Sequence, residues 1–214
     1  MLCGYLDYLN TKRIILGSKS GPRKALVTSS GLTNFEVMDS GFEEDLEKEA
    51  FETQTDYVRA TSAGKVDALK AALDAKNEDF DVLICCDTVC VSKDGNIIEK
   101  PKSIEEQREN IRTFSGSYHT VVTWLNVLVR KDGNEERFEH EETTKIYFHE
   151  IPEKSIEAYP LLYPETLIAA GGYRIQSCGG TLISKIEGDY SNVVGLPLSH
   201  LCKIIVKAIE GGKL

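Results

Sequence analysis

The sequence predicts a mixed α/β fold, with a central sheet and helices packed on it. Three observations carry this prediction. Residues 81–86 form an apolar run that suits a central strand covered on both faces. Residues 118–130 and 137–148 have the length and pattern of two strands joined by a turn at Asp132-Gly133. Residues 54–76 are alanine-rich and charged with a partial apolar face, which is typical of a long helix. Alternation of helices and strands with one antiparallel pair favours a mixed sheet.

The remaining elements follow from local patterns. Residues 13–17 suit a short buried strand, and a polar turn with glycine leads into a helix from about 23 to 30, stopped by Gly31. Residues 34–39 alternate like a strand. We further expect the elements that follow: a hairpin of residues 89–92 and 96–99, a helix from a Ser103/Glu106 capping box to about Phe114, a helix over 152–159, a strand over 182–187 and a closing amphipathic helix over 197–209.

Composition restricts the classes of protein that the chain can represent. Its 214 residues are 41% hydrophobic and 28% charged, with a net charge of −9. An acidic surface disfavours a protein that coats nucleic acid, although a few local cations can still bind a small anion. No apolar run could span a membrane, and the N-terminus lacks a basic leader, so we expect a cytoplasmic protein. We assign residues 1–12 to an N-terminal extension and residues 13–210 to a single catalytic domain.

Six cysteines raise the question of disulfides or zinc. Three of them crowd into the apolar run DVLICCDTVCV, where cysteine behaves as a small hydrophobe. There is no CxxC pair, and the four histidines do not complete a zinc pattern in the sequence. We therefore expect reduced, structural thiols.

The segment GSKSGPRKALV, residues 17–27, is a candidate phosphate site. Small and hydroxylated residues follow a strand, and the helix start carries Arg23 and Lys24, so backbone N–H groups and two cations could converge on one anion. The segment is not a Walker A loop, because Pro22-Arg23 stands where that motif requires Gly-Lys. A solvated turn with a basic helix start fits the same spacing.

Two more candidates follow the central strand. Asp87 comes directly after the apolar run, at the end of a strand where α/β folds place ligands, and could hold Mg²⁺ or position a water. A turn-forming aspartate is the alternative. Lys100, in the sequence Glu99-Lys100-Pro101, could bind a phosphate as a point charge or be an ordinary surface lysine.

Other segments are open to both structural and functional interpretations. Glu43-Glu44 lies in an acidic patch that could be a solvated face or supply a metal ligand beside Asp87. Two glycine-bearing loops end in the amides of Gln176 and Asn192, and an amide can recognise a base edge. We predict that His119 packs within a strand and is not a catalytic base.

The order of these signals along the chain is more specific than any one of them. Eight segments occur in series along the chain: LGSKSGPRKALV, SGFEE, the helix with Lys65, CCDTV, EKP, FSGSYHTVVT, GGYRIQ and IEGDYSNVVGLPL. This series resembles the Maf family of nucleotide pyrophosphatases from about residue 13 to about residue 201. CCDTV, EKP, SGSYHTVVT and YRIQ resemble the branch of that family acting on dTTP, UTP and modified pyrimidine triphosphates.

The resemblance implies a two-lobed α/β fold with a cleft between the lobes, often assembled as a homodimer. It implies hydrolysis of a nucleoside triphosphate to the monophosphate and pyrophosphate with Mg²⁺ or Mn²⁺, clearing such nucleotides from the pool. No nucleic acid polymer or membrane is implied as a partner. Carried over residue by residue, the roles are phosphate binding for Ser18, Arg23, Lys24 and Lys65, metal binding for Glu44, catalysis and metal binding for Asp87, a cleft lysine in Lys100, and base proximity for Gln176.

The chain departs from the family pattern at three places. Gly21 lengthens the S-x-S-P-R-R motif by one residue, and Lys24 replaces its second arginine, losing a bidentate fork. Ile168-Ala169 replaces an Asp-Lys pair. These changes motivate an alternative: a nucleotide-binding or regulatory module that keeps the cleft without turnover. A purely structural interaction domain is the third hypothesis.

Overall fold

The computed structural model describes all 214 residues, from Met1 to Leu214. The strands are β1 (Ile14–Leu16), β2 (Glu36–Val37), β3 (Val82–Ser92), β4 (Ile97–Ile98), β5 (Tyr118–Lys131), β6 (Asn134–Phe148) and β7 (Ile183–Glu187). The helices are α1 (Leu6–Leu9), α2 (Gly21–Ser29), α3 (Gln54–Ala75), α4 (Ile104–Phe114), α5 (Glu153–Leu162), α6 (Tyr190–Val194) and α7 (Leu198–Glu210).

The seven strands form one mixed sheet. Its order is β2-β1-β3-β5-β6-β7, with β4 paired to β3. β1 pairs parallel with β2 and β3, whereas the pairs β3–β4 and β6–β7 are antiparallel. The predicted mixed α/β fold, with helices flanking a central sheet, is therefore confirmed.

Most predicted elements are present with bounds shifted by a few residues. The 89–92/96–99 hairpin exists as the β3–β4 pair, and Asp132 and Gly133 adopt the positive φ values, 51° and 76°, of a tight hairpin turn. The strand predicted over 34–39 shrinks to the two exposed residues of β2. Helix α2 begins at Gly21 rather than near Arg23, because the side chain of Ser20 caps it by accepting from the Arg23 amide.

The position of Asp87 differs from the prediction. Asp87 does not follow a strand: it lies inside β3, which continues to Ser92. Parallel pairing of β3 with β1 ends at Ile84, and antiparallel pairing with β4 begins at Cys90, so the backbone stays extended between them. Asp87 is therefore a strand residue beyond the end of β1, and the turn-forming alternative is wrong.

The chain divides into two compact units by its contacts. The first comprises Met1–Asp87, Thr123–Glu142 and Gly195–Leu214, and the second comprises Thr88–Val122 and Thr143–Val194. The core of the first unit surrounds β1, the start of β3 and α7, with Leu16, Ile84 and Leu201 fully buried. A second cluster in this unit packs α3 against the sheet through residues such as Val66 and Leu69.

The second unit has an aromatic core that includes a histidine. Phe114 and Phe148 stack with ring centroids 5.1 Å apart, and His119 lies against both. The Nε2 atom of His119 is 2.8 Å from the hydroxyl oxygen of Tyr173. Burial lowers the pKa of His119 to about 4. The prediction that His119 packs within a strand is confirmed.

The cysteines are thiols, as predicted. All six are free, and Cys85, Cys86 and Cys90 are buried. Burial raises the pKa of Cys85 and of Cys90 to about 12. As to membranes, none of the helices combines the length and the apolar character that a membrane span requires.

Candidate active site

The loop between β1 and α2 brings a hydroxyl and a guanidinium together. The Arg23 Nη1 donates to the Ser18 hydroxyl over 3.3 Å, and its Nε donates to the carbonyl of Gly195 over 2.8 Å. Gly195 has a φ of 121°, a backbone conformation that favours glycine, so the residue that accepts from Arg23 lies in a turn that a larger side chain would strain. The guanidinium is thus anchored at the start of α2, where helix N–H groups also favour an anion.

A buried lysine joins two carboxylates in the same unit. The Lys65 Nζ lies 2.7 Å from Asp87 Oδ1 and 2.8 Å from Glu44 Oε1. The Lys65 and Asp87 side chains are 7% and 11% exposed, whereas that of Glu44 is 55% exposed. Burial opposes the charge on Lys65, but the Asp87 carboxylate and both hydrogen bonds outweigh it and raise its pKa above the ordinary 10.5. Lys65 therefore stays cationic at neutral pH.

The two groups of residues share one neighbourhood. The Gly195 carbonyl that accepts from Arg23 also accepts from the thiol of Cys86, the residue before Asp87. The charge of Arg23 is close enough to act against protonation of Lys65. The structure thus brings Ser18, Arg23, Glu44, Lys65 and Asp87 together in one unit.

An aromatic contact supports the loop that carries Glu44. Gly64 lies inside α3, one residue before Lys65, and a Cβ atom at this position would overlap the ring of Phe42. Helix interiors disfavour glycine, so a close contact is a physical reason for it here. Phe42 precedes Glu43-Glu44 and rests on the helix that presents Lys65, which positions the Glu44 carboxylate.

Lys24 and Gly21 occupy exposed positions in the first turn of α2. Lys24 follows Arg23, and its side chain is exposed to solvent. Gly21 has an ordinary negative φ, and a Cβ there would meet nothing within 4 Å. The inserted glycine therefore becomes the first residue of the helix without disrupting the Ser18–Arg23 contact.

Lys100 and Gln176 belong to the second unit. Lys100 is exposed and follows β4. Of its two neighbours in the chain, Glu99 accepts a hydrogen bond from the Gly171 amide over 3.1 Å through its carbonyl, and Pro101 is buried. Gln176 is exposed in a turn after Tyr173. Both side chains are exposed to solvent.

The amide of Asn192 has a structural position. Asn192 is fully buried in α6, and its Nδ2 donates to the Val121 carbonyl and to the Thr144 hydroxyl. Thr144 also donates to the Asp189 carbonyl and accepts from the Asp189 amide. The loop IEGDYSNVVGLPL is thus held to β5 and β6 through this residue and Asp189.

Comparison with known proteins identifies the family. A family model described as Maf-like protein matches residues 13–208. The chain belongs to the Maf family. The matched span includes every residue of the candidate site described above.

Curated relatives cover nearly all of this Maf chain. A dTTP/UTP pyrophosphatase of Schizosaccharomyces pombe is 36% identical over 95% of the chain and 87% of its own length. A dTTP/UTP pyrophosphatase of Pyrococcus furiosus is 37% identical over 94% of the chain and 96% of its own length. A human protein named as a probable bifunctional dTTP/UTP pyrophosphatase/methyltransferase is 35% identical over 97% of the chain, which spans only 34% of that protein.

Sequence reasoning missed two groups that shape the Maf site. The Gly195 carbonyl is a backbone group, so no pattern of side chains in the sequence predicts it. Gly64 could have been noticed, because a glycine inside a long, otherwise strong helix departs from propensity and indicates a close contact. Phe42 then follows as the partner only once the fold is known.

Proposed function

We propose that this Maf protein hydrolyses nucleoside triphosphates, with dTTP and UTP as its substrates, to the monophosphate and pyrophosphate. The observation that carries the proposal is the convergence of Lys65, Asp87 and Glu44 within hydrogen-bond distance, with the guanidinium of Arg23 nearby. Cationic side chains can bind a polyphosphate, and carboxylates can hold a divalent metal ion and act on a water molecule. The names of the relatives from fission yeast and Pyrococcus support the substrate class.

The carboxylates fit the metal that this chemistry requires. Glu44 Oε1 and Asp87 Oδ1 both contact one Nζ atom, so they lie close enough to share an ion. Such hard oxygen ligands match Mg²⁺ or Mn²⁺. Substrate phosphates and waters would supply the remaining ligands of the ion. Glu44 and Asp87 would hold the ion. When bound, it would neutralise phosphate charge and make water a better nucleophile.

The cations would bind the triphosphate. Arg23, anchored to Gly195, presents a planar donor fork to one phosphate, and Ser18 adds a hydroxyl. Lys65 would exchange its carboxylate partners for a phosphate oxygen as the nucleotide enters. We assign further phosphate contacts to Lys24 and Lys100, and contact with the base to Gln176.

Asp87 would act on the attacking water. Its carboxylate takes a proton from the water as the oxygen bonds to the α-phosphorus. The bond from the α-phosphorus to the bridging oxygen breaks, and pyrophosphate leaves with that oxygen. Lys65 and Arg23 stabilise the charge that moves onto the leaving group, as preorganised donors do in other phosphoryl transfers.

The test is substitution of Asp87. Asp87→Asn preserves shape but removes the base and a metal ligand, so pyrophosphate release from dTTP and UTP should fall by about 10²–10³-fold, or about 2.7–4 kcal/mol of barrier. Asp94→Asn, in the exposed β3–β4 turn, is the matched control and should keep full activity. Equal rates for wild type and Asp87→Asn would refute the assignment.

The same assay separates the enzyme from a non-catalytic nucleotide-binding module. An enzyme releases pyrophosphate, whereas a binding module shows nucleotide-dependent thermal stabilisation without release. A homodimer is also predicted, and light scattering on the purified protein tests it. A panel of canonical and modified pyrimidine triphosphates would then rank the substrates, since a single methyl or hydroxyl group distinguishes them.

A further inference from the structure

Three side chains on β6 and α7 converge at a place that the proposed reaction does not use. His140 and Glu142 come from β6, and His200 comes from the first turn of α7. The Nε2 of His140 lies 3.0 Å from Glu142 Oε2, and the Nδ1 of His200 lies 2.8 Å from the same oxygen. We propose that these three side chains form a binding site for a divalent transition-metal ion of the Zn²⁺ class.

The backbone places the three residues together. His140 and Glu142 are two apart on a strand, so they share one face of β6. Along this face the side chains are half-buried, and Phe138 contacts Lys207 of α7. Because α7 lies along this face of β6, the start of the helix presents His200 to the two strand residues.

The donor set matches the proposed ion. Two imidazole nitrogens and one carboxylate oxygen are a known protein ligand set for Zn²⁺ in sites that keep a position open for water or another ligand. Mg²⁺ and Ca²⁺ prefer oxygen ligands alone. The three side chains are 26%, 16% and 35% exposed, so an ion could enter from solvent and still be partly shielded.

The distances also suit a metal site. All the ligand atoms lie within 4.8 Å of one another. Metal–ligand bonds of about 2.0–2.2 Å in a tetrahedral site put neighbouring ligand atoms roughly 3.3 Å apart. The 2.8 and 3.0 Å contacts need to open by only a few tenths of an ångström. The His140 and His200 rings stack, with centroids 3.6 Å apart, so binding would also tilt the rings apart.

The test is a titration with Zn²⁺ of protein from which bound metal has been removed. Calorimetry measures the binding, and the buffer contains excess Mg²⁺. Excess Mg²⁺ occupies oxygen-only sites without competing strongly for imidazole, so the titration isolates the nitrogen-containing site. One Zn²⁺ per chain is expected. His140→Gln and His200→Gln should each weaken Zn²⁺ binding by at least roughly 10–100-fold. Loss of a residue that only supports a metal ligand already has an effect of that size. His149→Gln, at an exposed histidine elsewhere, should leave it unchanged.

A spectroscopic measurement on the unaltered protein guards against variants that fail to fold. Cu²⁺ bound at this site should show coupling to two nitrogen ligands in its electron paramagnetic resonance spectrum. Asp87→Asn, which should slow hydrolysis by about 10²–10³-fold, should leave Zn²⁺ binding intact, so failure of this proposal and failure of the proposed function are distinguishable. Unchanged Zn²⁺ affinity in both glutamine variants, a Cu²⁺ spectrum without two nitrogens, or loss of Zn²⁺ binding in Asp87→Asn would overturn it.

Discussion

The ammonium of Lys65 and the carboxylate of Asp87 form a buried ion pair, with Nζ 2.7 Å from Oδ1. Their side chains are only 7% and 11% exposed, so each charge depends on the other for its stabilisation. A buried pair of this kind contributes little net stability compared with an apolar pair, yet removal of one partner is costly. Such an arrangement suits a site in which the two charges bind a ligand, as we propose for the triphosphate and the divalent metal ion.

Lys65→Met should therefore destabilise the protein. The substitution leaves Asp87 as a buried charge without its closest partner, which costs about 3–5 kcal/mol in comparable pairs. Urea unfolding measures the loss, and pyrophosphate release should also fall because a phosphate-binding cation is gone.

The double variant Lys65→Met/Asp87→Asn distinguishes coupling from simple loss of packing. Because it buries neither charge alone, it should regain part of the stability that Lys65→Met loses. Additive losses in the double-mutant cycle would contradict the buried pair. Activity should stay low in the double variant, since neither charge is restored.

Gly64→Ala should reduce activity more than stability. Alanine usually stabilises a helix interior by about 0.5–1 kcal/mol relative to glycine, but the new Cβ would displace the ring of Phe42. Phe42 is half-buried and can swing outward, so the fold should survive while Glu44 moves away from Lys65. Steady-state kinetics at several Mg²⁺ concentrations should show a raised Mg²⁺ requirement.

Gly21→Ala is the matched control. Gly21 is also a helical glycine, but a Cβ there meets open space and its φ is negative. This variant should therefore keep both its stability and its activity. A loss of activity in Gly21→Ala equal to that in Gly64→Ala would show that the ring contact is not the cause.

The sequence predicted the fold class and most elements because their signals are local. The long helix from Gln54, the capping box at Ser103 and the hairpin turn at Asp132-Gly133 each depend on neighbouring residues only. The short β2 was overestimated because alternation alone does not reveal whether a strand has a long partner. Asp87 was placed after its strand because a charged residue ordinarily ends an apolar run.

The site was predictable only in its residue types. Motif order pointed to Arg23, Lys65 and Asp87, but no pattern stated that one ammonium joins two carboxylates. That contact depends on α3 packing beside β3, which is a tertiary relationship. The same holds for His140 and His200, whose spacing along the chain matches no metal motif although their nitrogens converge in space.

His119 should make stability fall as the pH falls. The folded protein keeps this imidazole neutral down to about pH 4, whereas the unfolded chain protonates it near pH 6.5. Between these values the unfolded state binds more protons, so stability is full above pH 6.5 and is lost toward pH 4. The loss at the low end should be on the order of 2–3 kcal/mol.

His119→Gln isolates this effect from that of the carboxylates. Glutamine does not titrate, so the variant should lose less stability on acidification, although it is less stable at neutral pH because it lacks the aromatic contacts. Urea unfolding near pH 7 and near pH 4 gives the comparison. Parallel losses in wild type and variant would mean that His119 does not titrate as its burial requires.

The buried thiols should resist labelling until the protein unfolds. Burial holds the pKa of Cys85 and of Cys90 at about 12, so almost no thiolate forms near neutral pH, and the side chains are also inaccessible. Cys3 is exposed and should react quickly with a disulfide reagent. Mass spectrometry after timed labelling identifies which residues have reacted, and Cys3→Ser removes the fast phase.

Cys86 makes the labelling informative about the site. Its thiol donates to the Gly195 carbonyl, which also accepts from Arg23, so Cys86 becomes reachable only when this shared contact opens. If opening requires global unfolding, the labelling rates of Cys86 and Cys90 should rise together with urea. Faster labelling of Cys86 than of Cys90 in native buffer would instead reveal local opening around Arg23, and bound nucleotide should then suppress it, because a phosphate on Arg23 stabilises the closed state.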